Sequence, residues 1–569
     1  MNCEYIKEIS RDGYEILKIK KDDKEIFSTS RYNVKREIEK ITKDFNNHLD
    51  KPYIFIFGLS NGEYIDDICK IDYKGKIYIV DYFEDIVENY KNSLKYDEDK
   101  IEFLTFYELE NEGVFLTDTY VGVLTYGNYS NIFSSEINNV RDIIKKSIVS
   151  AQLNINTIER FSYEWVDNVI HNIPYIVESN YINEFKEAYV GKPAIIVSAG
   201  PSLEKELGIL KENEDKFVII SGGRTLPTLK KFNINVDFTC VVDGGIPSYE
   251  VIKNGLDYKT NLIFTDITNK FILEEYKGTK TYFSGLDYGQ TIKKYTGKEI
   301  DTIQSVGGSV AHTCSEFARY MGCSPIILLG QDLAYTNNKL HSDSASIEEV
   351  NIVEKGDIIV ENVYGDEVYT DYALDTFRIQ FEKYFYIIKK EYGSFEVINS
   401  SDGGAKIKGT SFKPFNEVVR TFNEKIDKYK INIDNTVKEK DKCFEVTLEI
   451  IKDMKAVINL CEELISLNKK MARIYNSNSS ATKQLLKLID NQEAKLKKRT
   501  ESIDIVASLV YGATQNVIRD YKKRTNQTEK EILESVVGDA TKLNNSIIEA
   551  IQAAIPMFED IASKFKQSN

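Results

Sequence analysis

The run Lys192-Pro193-Ala194-Ile195-Ile196-Val197-Ser198-Ala199-Gly200-Pro201-Ser202-Leu203 decides the fold. Four apolar residues, Ala194 to Val197, predict a short buried strand. The small residues Ser198 to Ser202 predict a tight turn, and Leu203 to Leu210 an amphipathic helix. A strand, a small-residue turn and a helix N-terminus can present backbone N–H groups and the positive end of the helix dipole to an anion. Ordinary βα turns without a ligand share this pattern, so the turn alone leaves both readings open.

Similar strand ends recur downstream. Phe217 to Ile220 runs into Ser221-Gly222-Gly223, Phe238 to Val242 into Asp243-Gly244-Gly245, and Ile326 to Leu329 into Gly330-Gln331-Asp332. Asn261 to Asp266 and Thr281 to Ser284 add two more strands. Near-continuous apolar strands separated by helical stretches predict a parallel sheet covered on both faces. In such sheets ligands bind at the carboxyl ends of the strands, where these small and polar residues fall. Gly307-Gly308-Ser309, ahead of the helix Ala311 to Tyr320, is a second candidate cradle. The loop beyond Asp332 carries Tyr335 and His341, and an imidazole can accept a proton near neutral pH. A surface histidine fits the sequence equally well. His312, inside a helix, is expected to be structural.

Around this central region, 190–420, the chain divides further. Its 569 residues exceed one core and suggest about three to four domains. Residues 1–145 predict a small α/β domain. A hairpin covers 10–30, a helix Ser28 to Ile41, and Tyr53 to Phe57 is a strand ending at Gly58-Leu59-Ser60-Asn61-Gly62. Asp81 ends the next strand, where a dinucleotide fold puts its ribose-binding acid, but the glycine spacing departs from GxGxxG. A degenerate α/β module is the preferred reading. Residues 146–189, with Trp165 and His171, predict a helical connector whose aromatic and imidazole pack or cap. Residues 345–370 predict a flap or hairpin. Residues 421–569 carry apolar positions at spacings of three and four, as in Leu448, Ile451, Met454, Ile458, Cys461 and Ile465, and predict a helical bundle.

The net charge of −15 argues against nucleic-acid or anionic-membrane binding. No window reaches transmembrane length, and no signal peptide opens the chain. Seven cysteines without a CxxC pair, and four histidines without ligand spacing, point to a cytoplasmic protein with no zinc site.

The run Ser198 to Leu203, Asp243, Gly307 to Val310, Gly330 to Tyr335 and Gly403 to Gly409 resembles the motility-associated factors (Maf), flagellin glycosyltransferases carrying the domain of unknown function 115. The resemblance implies a doubly wound, mostly parallel Rossmann-like α/β sheet, similar to bacterial sialyltransferases, between an N-terminal α/β domain and a C-terminal helical domain. It further implies inverting, metal-independent transfer of a nonulosonic acid from a CMP-sugar to Ser or Thr of flagellin, in support of filament assembly and motility. No other cofactor is implied, and a homo-oligomer is compatible with it. Carried over, Ala199, Gly200, Pro201 and Ser202 would meet the phosphate and ribose. Gly222, Gly223 and Asp243 would line the donor pocket. Gly308 and Ser309 would face the cytidine. Gly330, Gln331, Asp332 and Tyr335 would close on the base, ribose and leaving phosphate, with His341 the candidate base. Catalysis is thus assigned to His341, Asp332 and Tyr335. Sialyltransferases carry an asparagine or similar polar residue at the position of Ala199, so this turn is expected to bind through its main chain.

Two other readings stand beside this one. A pterin-type pyrophosphokinase of the same superfamily would need Mg²⁺ on Asp243, Asp266 and Asp332. A non-catalytic flagellin chaperone would use the helical region.

Overall fold

The computed structural model describes residues 3–22, 24–93, 95–97, 99–114, 116–285, 287–303, 308–345, 358–393, 395–428, 440–474, 480–518 and 529–567. The chain forms two compact units, Met1–Ile158 and Glu159–Asn569.

The first unit opens with an antiparallel meander, β1 (Cys3–Ile9), β2 (Glu15–Lys21) and β3 (Lys24–Phe27). The sequence reading found the β2–β3 hairpin and missed β1, whose residues are mostly exposed on both faces. Helix α1 (Val34–Asn46) starts later than expected, because the Asn33 side chain accepts the Arg36 N–H at 3.0 Å and caps it there. There follow β4 (Tyr53–Phe57), α2 (Ile65–Cys69), β5 (Lys76–Asp81), α3 (Glu84–Lys91), β6 (Ile101–Thr105), α4 (Phe106–Glu112), β7 (Val121–Thr125) and α5 (Tyr129–Ile132). The strands make a parallel sheet of order β6-β5-β4-β7, half of a doubly wound fold.

The turn after β4 is closed to a dinucleotide. Asp81 is fully buried, and its carboxylate accepts the N–H groups of Leu59 (2.7 Å), Ser60 (3.2 Å), Tyr82 (2.7 Å) and Phe83 (3.1 Å). Burial pushes its pKa up. The ring of Tyr129 sits where a Cβ on Gly58 would go, and the Tyr90 hydroxyl where one on Gly62 would go. Asp81 thus braces the turn that a cofactor would have to approach, where a dinucleotide fold would turn its acid to the ribose.

Helix α6 (Ser134–Glu178) leads into the second unit, where Val166, Val169, Ile170, Ile173 and Val177 form a buried stripe. His171 pairs with Asp167 at 3.0 Å on the same helix. The unit continues with β8 (Asn180–Tyr181), β9 (Ala194–Val197), α7 (Leu203–Glu212), β10 (Val218–Gly222), α8 (Leu226–Lys231), β11 (Phe238–Val241) and α9 (Ile246–Ile252). Next come β12 (Asn261–Phe264), α10 (Lys270–Glu275), β13 (Thr279–Tyr282), α11 (Gly289–Thr296), α12 (Val310–Tyr320) and β14 (Ile326–Leu329). A hairpin, β15 (Ile358–Glu361) and β16 (Glu367–Thr370), precedes α13 (Tyr372–Tyr392), β17 (Val397–Asn399), β18 (Ser411–Phe412) and α14 (Phe415–Thr421). Of the expected flap, 346–357 lies outside the described residues.

Nine strands form a parallel sheet of order β18-β17-β14-β9-β10-β11-β12-β13-β8. The chain builds outward from β9 through β13 and then returns to the other side of β9 as β14. The order reverses between β9 and β14, so the loops leaving these two strands diverge and open a crevice. All four residues of β9 are buried. Helices α15 (Lys440–Ile474), α16 (Ser480–Glu501), α17 (Asp504–Ile518) and α18 (Glu529–Gln567) follow. Cys443, Ile450, Met454, Ile505 and Phe558 share one core with Leu262, Phe264 and Tyr282 of the sheet, so the helical region packs onto the strands. No helix among the described residues is long and apolar enough to cross a membrane.

Candidate active site

A pocket of about 400 Å³ opens at the carboxyl edge of the second sheet. It sits at the β9–β14 switch point and extends across β10 to β11. That volume is near the lower end of small-ligand sites. Ala199, Gly200, Gly222, Gly223, Asp243, Gly308, Ser309, Gly330, Gln331, Asp332 and His341 all line it. Six separate stretches of sequence are thus brought together. Pro201, Ser202 and Tyr335 do not line it among the described residues, and Gly307 lies outside them.

The turn after β9 is rigid. Gly200 N–H donates to Gly330 O at 2.8 Å, Leu203 N–H to Gly200 O at 3.1 Å, and Ser198 Oγ to Gln331 Oε1 at 2.5 Å. Asp332, 2 % exposed, accepts Ser202 N–H at 2.9 Å on Oδ2 and Ser202 Oγ–H at 2.5 Å on Oδ1. Burial raises its pKa to about 6, against the lowering effect of the Ser202 bonds. A Cβ on Gly200 would stand 2.5 Å from Gly330 O and 2.6 Å from Asp332 Oδ1, so only glycine fits there. Gly330 takes φ +70°, and a Cβ on it would meet Ser198 O at 2.4 Å.

Part of the hydrogen-bonding capacity expected to meet a ligand at this turn is used within the fold. The Ser202 N–H is taken by Asp332 and the Leu203 N–H by Gly200 O, and Glu204 and Glu206 lie in the first turn of α7. Acidic side chains in the first turn of a helix weaken its attraction for a phosphate. Pro201 and Ser202 are buried behind the wall and hold the turn together. Tyr335 donates its hydroxyl to Asp371 at 2.7 Å and its N–H to Tyr369 O at 2.9 Å, which ties the loop to the hairpin and the start of α13.

The anion-friendly end is elsewhere. Helix α12 begins at the pocket with Ser309 as its N-cap and no acid in its first turn. Gly222 lies against it, 3.5 Å from Val310 Cγ1 for a Cβ placed there. Arg224, one residue beyond Gly222-Gly223, lines the same pocket. Sequence reasoning stopped at the glycines and missed this arginine, although a cation directly after a strand-end Gly-Gly was a readable signal. Leu374 and Phe377 of α13 also line the pocket, and only the tertiary fold brings them there.

On the far side Asp243 follows β11. Its carboxylate is exposed to the pocket and has no hydrogen-bond or ion-pair partner among the described residues. The surrounding walls nonetheless strip it of water, which pushes its pKa up. The next residue is pinned from α6: Asn168 donates to Gly244 O at 2.9 Å, and Trp165 leaves no room for a Cβ on Gly244. Trp165 thus packs, as expected of it. His312 is fully buried, stacks on Phe381 at 3.7 Å, and has its pKa lowered to about 4 by burial.

The acids proposed as Mg²⁺ ligands do not fit that role as a set. Asp266 is buried and accepts N–H groups from Ile267 (2.9 Å) and Gly285 (3.0 Å), and Asp332 is held by Ser202. Only Asp243 offers a free carboxylate, and no group of three such side chains converges among the described residues.

Comparison with known proteins matches residues 167–338 to the family described as 6-hydroxymethylpterin diphosphokinase MptE-like. No curated protein matches. A solved structure of a MAf glycosyltransferase from Magnetospirillum magneticum AMB-1 aligns with TM-score 0.46 and 13% identity, covering 99% of this chain and 92% of that one. The chain is thus similar to the MptE-like family over the segment that supplies the strand ends from Ala199 to Gln331.

Proposed function

We propose that this protein is an inverting glycosyltransferase, acting in the cytoplasm. It moves a nonulosonic acid of the pseudaminic, legionaminic or Kdo type from its CMP-sugar to a Ser or Thr hydroxyl of flagellin. The observation that carries the reading is one pocket that brings Arg224 and the α12 N-terminus together with the His341 side chain. Arg224 and the α12 N-terminus suit the leaving phosphate, whose charge grows as the bond to the sugar breaks. His341 faces the same space and serves as the base that takes the proton from the attacking hydroxyl. Asp332 acts by position: it holds the turn that forms the floor between them. The chain's own donors meet the phosphate in this scheme, and no step is routed through a metal.

The MptE-like match favours a second reading, diphosphate transfer to a pterin. The dispersed acids speak against its three-carboxylate form.

The test is intact-mass analysis of flagellin incubated with the purified protein and each CMP-sugar in turn. The expected result is a mass increase of one sugar with one donor, lost in His341→Ala. No increase with any of the three donors overturns the proposal. Diphosphate formation from ATP and 6-hydroxymethylpterin establishes the second reading instead.

A further inference from the structure

Far from the sheet edge, α15 and α16 enclose a groove of about 570 Å³. Helix α15 carries two stripes. Cys443, Thr447, Ile450, Met454, Val457 and Cys461 are buried in the core. On another face Ala456, Asn459 and Leu460 line the groove, and Leu448 lines an adjoining hollow that shares Ala456 and Asn459 with it. Leu448 is 46% exposed there, and Ala456 is small enough to admit a close neighbour.

The rim is charged unevenly. Its acids are occupied: Asp453 is bound by Arg499 at 2.5 Å, and Glu463 by Gln492 at 2.6 Å. Its lysines are not. Lys452 and Lys455 on α15, with Lys495 and Lys498 on α16, are exposed and have no ion pair or hydrogen bond among the described residues. A chain of net charge −15 thus presents here a partly apolar strip, Leu448, Ala456 and Leu460, flanked by four unpaired lysines. Leu448 to Glu463 spans about 22 Å, the length of about four helical turns.

We propose that this groove docks an acidic amphipathic helix of another protein, apolar face down and carboxylates against the lysines. The inference is independent of the reaction assigned to the sheet-edge pocket.

The test uses the full chain and a fluorescent helical peptide of about 18 residues, with leucines on one face and glutamates flanking them. Saturable binding is expected that falls roughly tenfold or more in Lys495→Glu/Lys498→Glu and weakens with salt. A peptide with lysines in place of the glutamates should reverse the preference and favour the variant. Equal binding to both proteins, or none, overturns the proposal. So does self-association that the variant abolishes, which would make a second copy the occupant. Binding to anionic vesicles that the variant abolishes would assign the lysines to a membrane instead. Sugar transfer is expected to be the same in wild type and variant.

Discussion

Asp332 and Ser202 are joined twice, by the backbone N–H and by the hydroxyl of the serine. The first unit repeats the device: Asp81, at the end of β5, holds the N–H groups of Leu59 and Ser60 after β4. In both units a carboxylate at the end of the neighbouring strand accepts backbone N–H groups of the turn that follows the first strand. The first unit stops there, with Tyr129 and Tyr90 filling the remaining space. The second keeps a pocket, lined beyond β9 and β14 by the open ends of β10 and β11.

Burial raises the Asp332 pKa from 3.8 to about 6. Below about pH 4 both folded and unfolded chains carry its proton, and no penalty arises. As pH rises through 6 the folded state must ionise a buried acid, and up to about 3 kcal/mol of stability is lost. Asp332→Asn removes this titration. Urea unfolding of both proteins from pH 4 to 7 should show the variant gaining on wild type as pH rises; a difference independent of pH would refute the assignment.

Gly200→Ala and Gly208→Ala should act in opposite directions. The first drives a methyl into Gly330 O and Asp332, with an expected cost of about 1–3 kcal/mol and loss of nucleotide binding. The second places one on α7 with nothing within 4 Å, and should stabilise by about 0.5–1 kcal/mol. Thermal melts of the pair measure this directly.

His341→Ala should lower transfer by about 10²–10⁴-fold while leaving CMP affinity unchanged. Arg224→Ala should instead weaken CMP binding by about tenfold or more, the worth of a charge-assisted bond. Calorimetry alongside the transfer assay separates the two. Loss of CMP binding in the histidine variant would remove it as the base.

Asp81→Asn leaves one carbonyl oxygen where four N–H groups converge. The donors left unpaired should cost about 2–4 kcal/mol. Denaturant unfolding should report this loss while CMP binding by the folded protein stays intact. Unchanged stability would show that the acid is dispensable.

Much of the site was legible because strand ends are local. Ala194 to Val197, Ser221 to Gly223, Val242 to Gly245 and Gly330 to Asp332 each announce an apolar run stopped by small or polar residues, and the sheet then gathers such ends on one edge. Less legible was what each polar group faces. Asp332 is written beside Gln331 but bonds to Ser202, 130 positions away. Tyr335 is written next to the site but turns to Asp371. Helix α1 begins at Val34, six residues after Ser28, because a single side chain, Asn33, decides where capping starts.

The sequence by itself determined the parallel α/β unit, the helical region after residue 421, and which strand ends could carry chemistry. Those properties follow from apolar periodicity and from glycine's backbone freedom, both of which are read over a few neighbouring residues. Only the tertiary structure decided that the Asp332 carboxylate takes the Ser202 N–H and hydroxyl, that Arg224 and the α12 N-terminus line one pocket, and that Leu374 and Phe377 complete its wall. Each of these depends on partners far apart in the chain. Whether a buried charge is satisfied depends on where the fold places those partners, which no local pattern encodes.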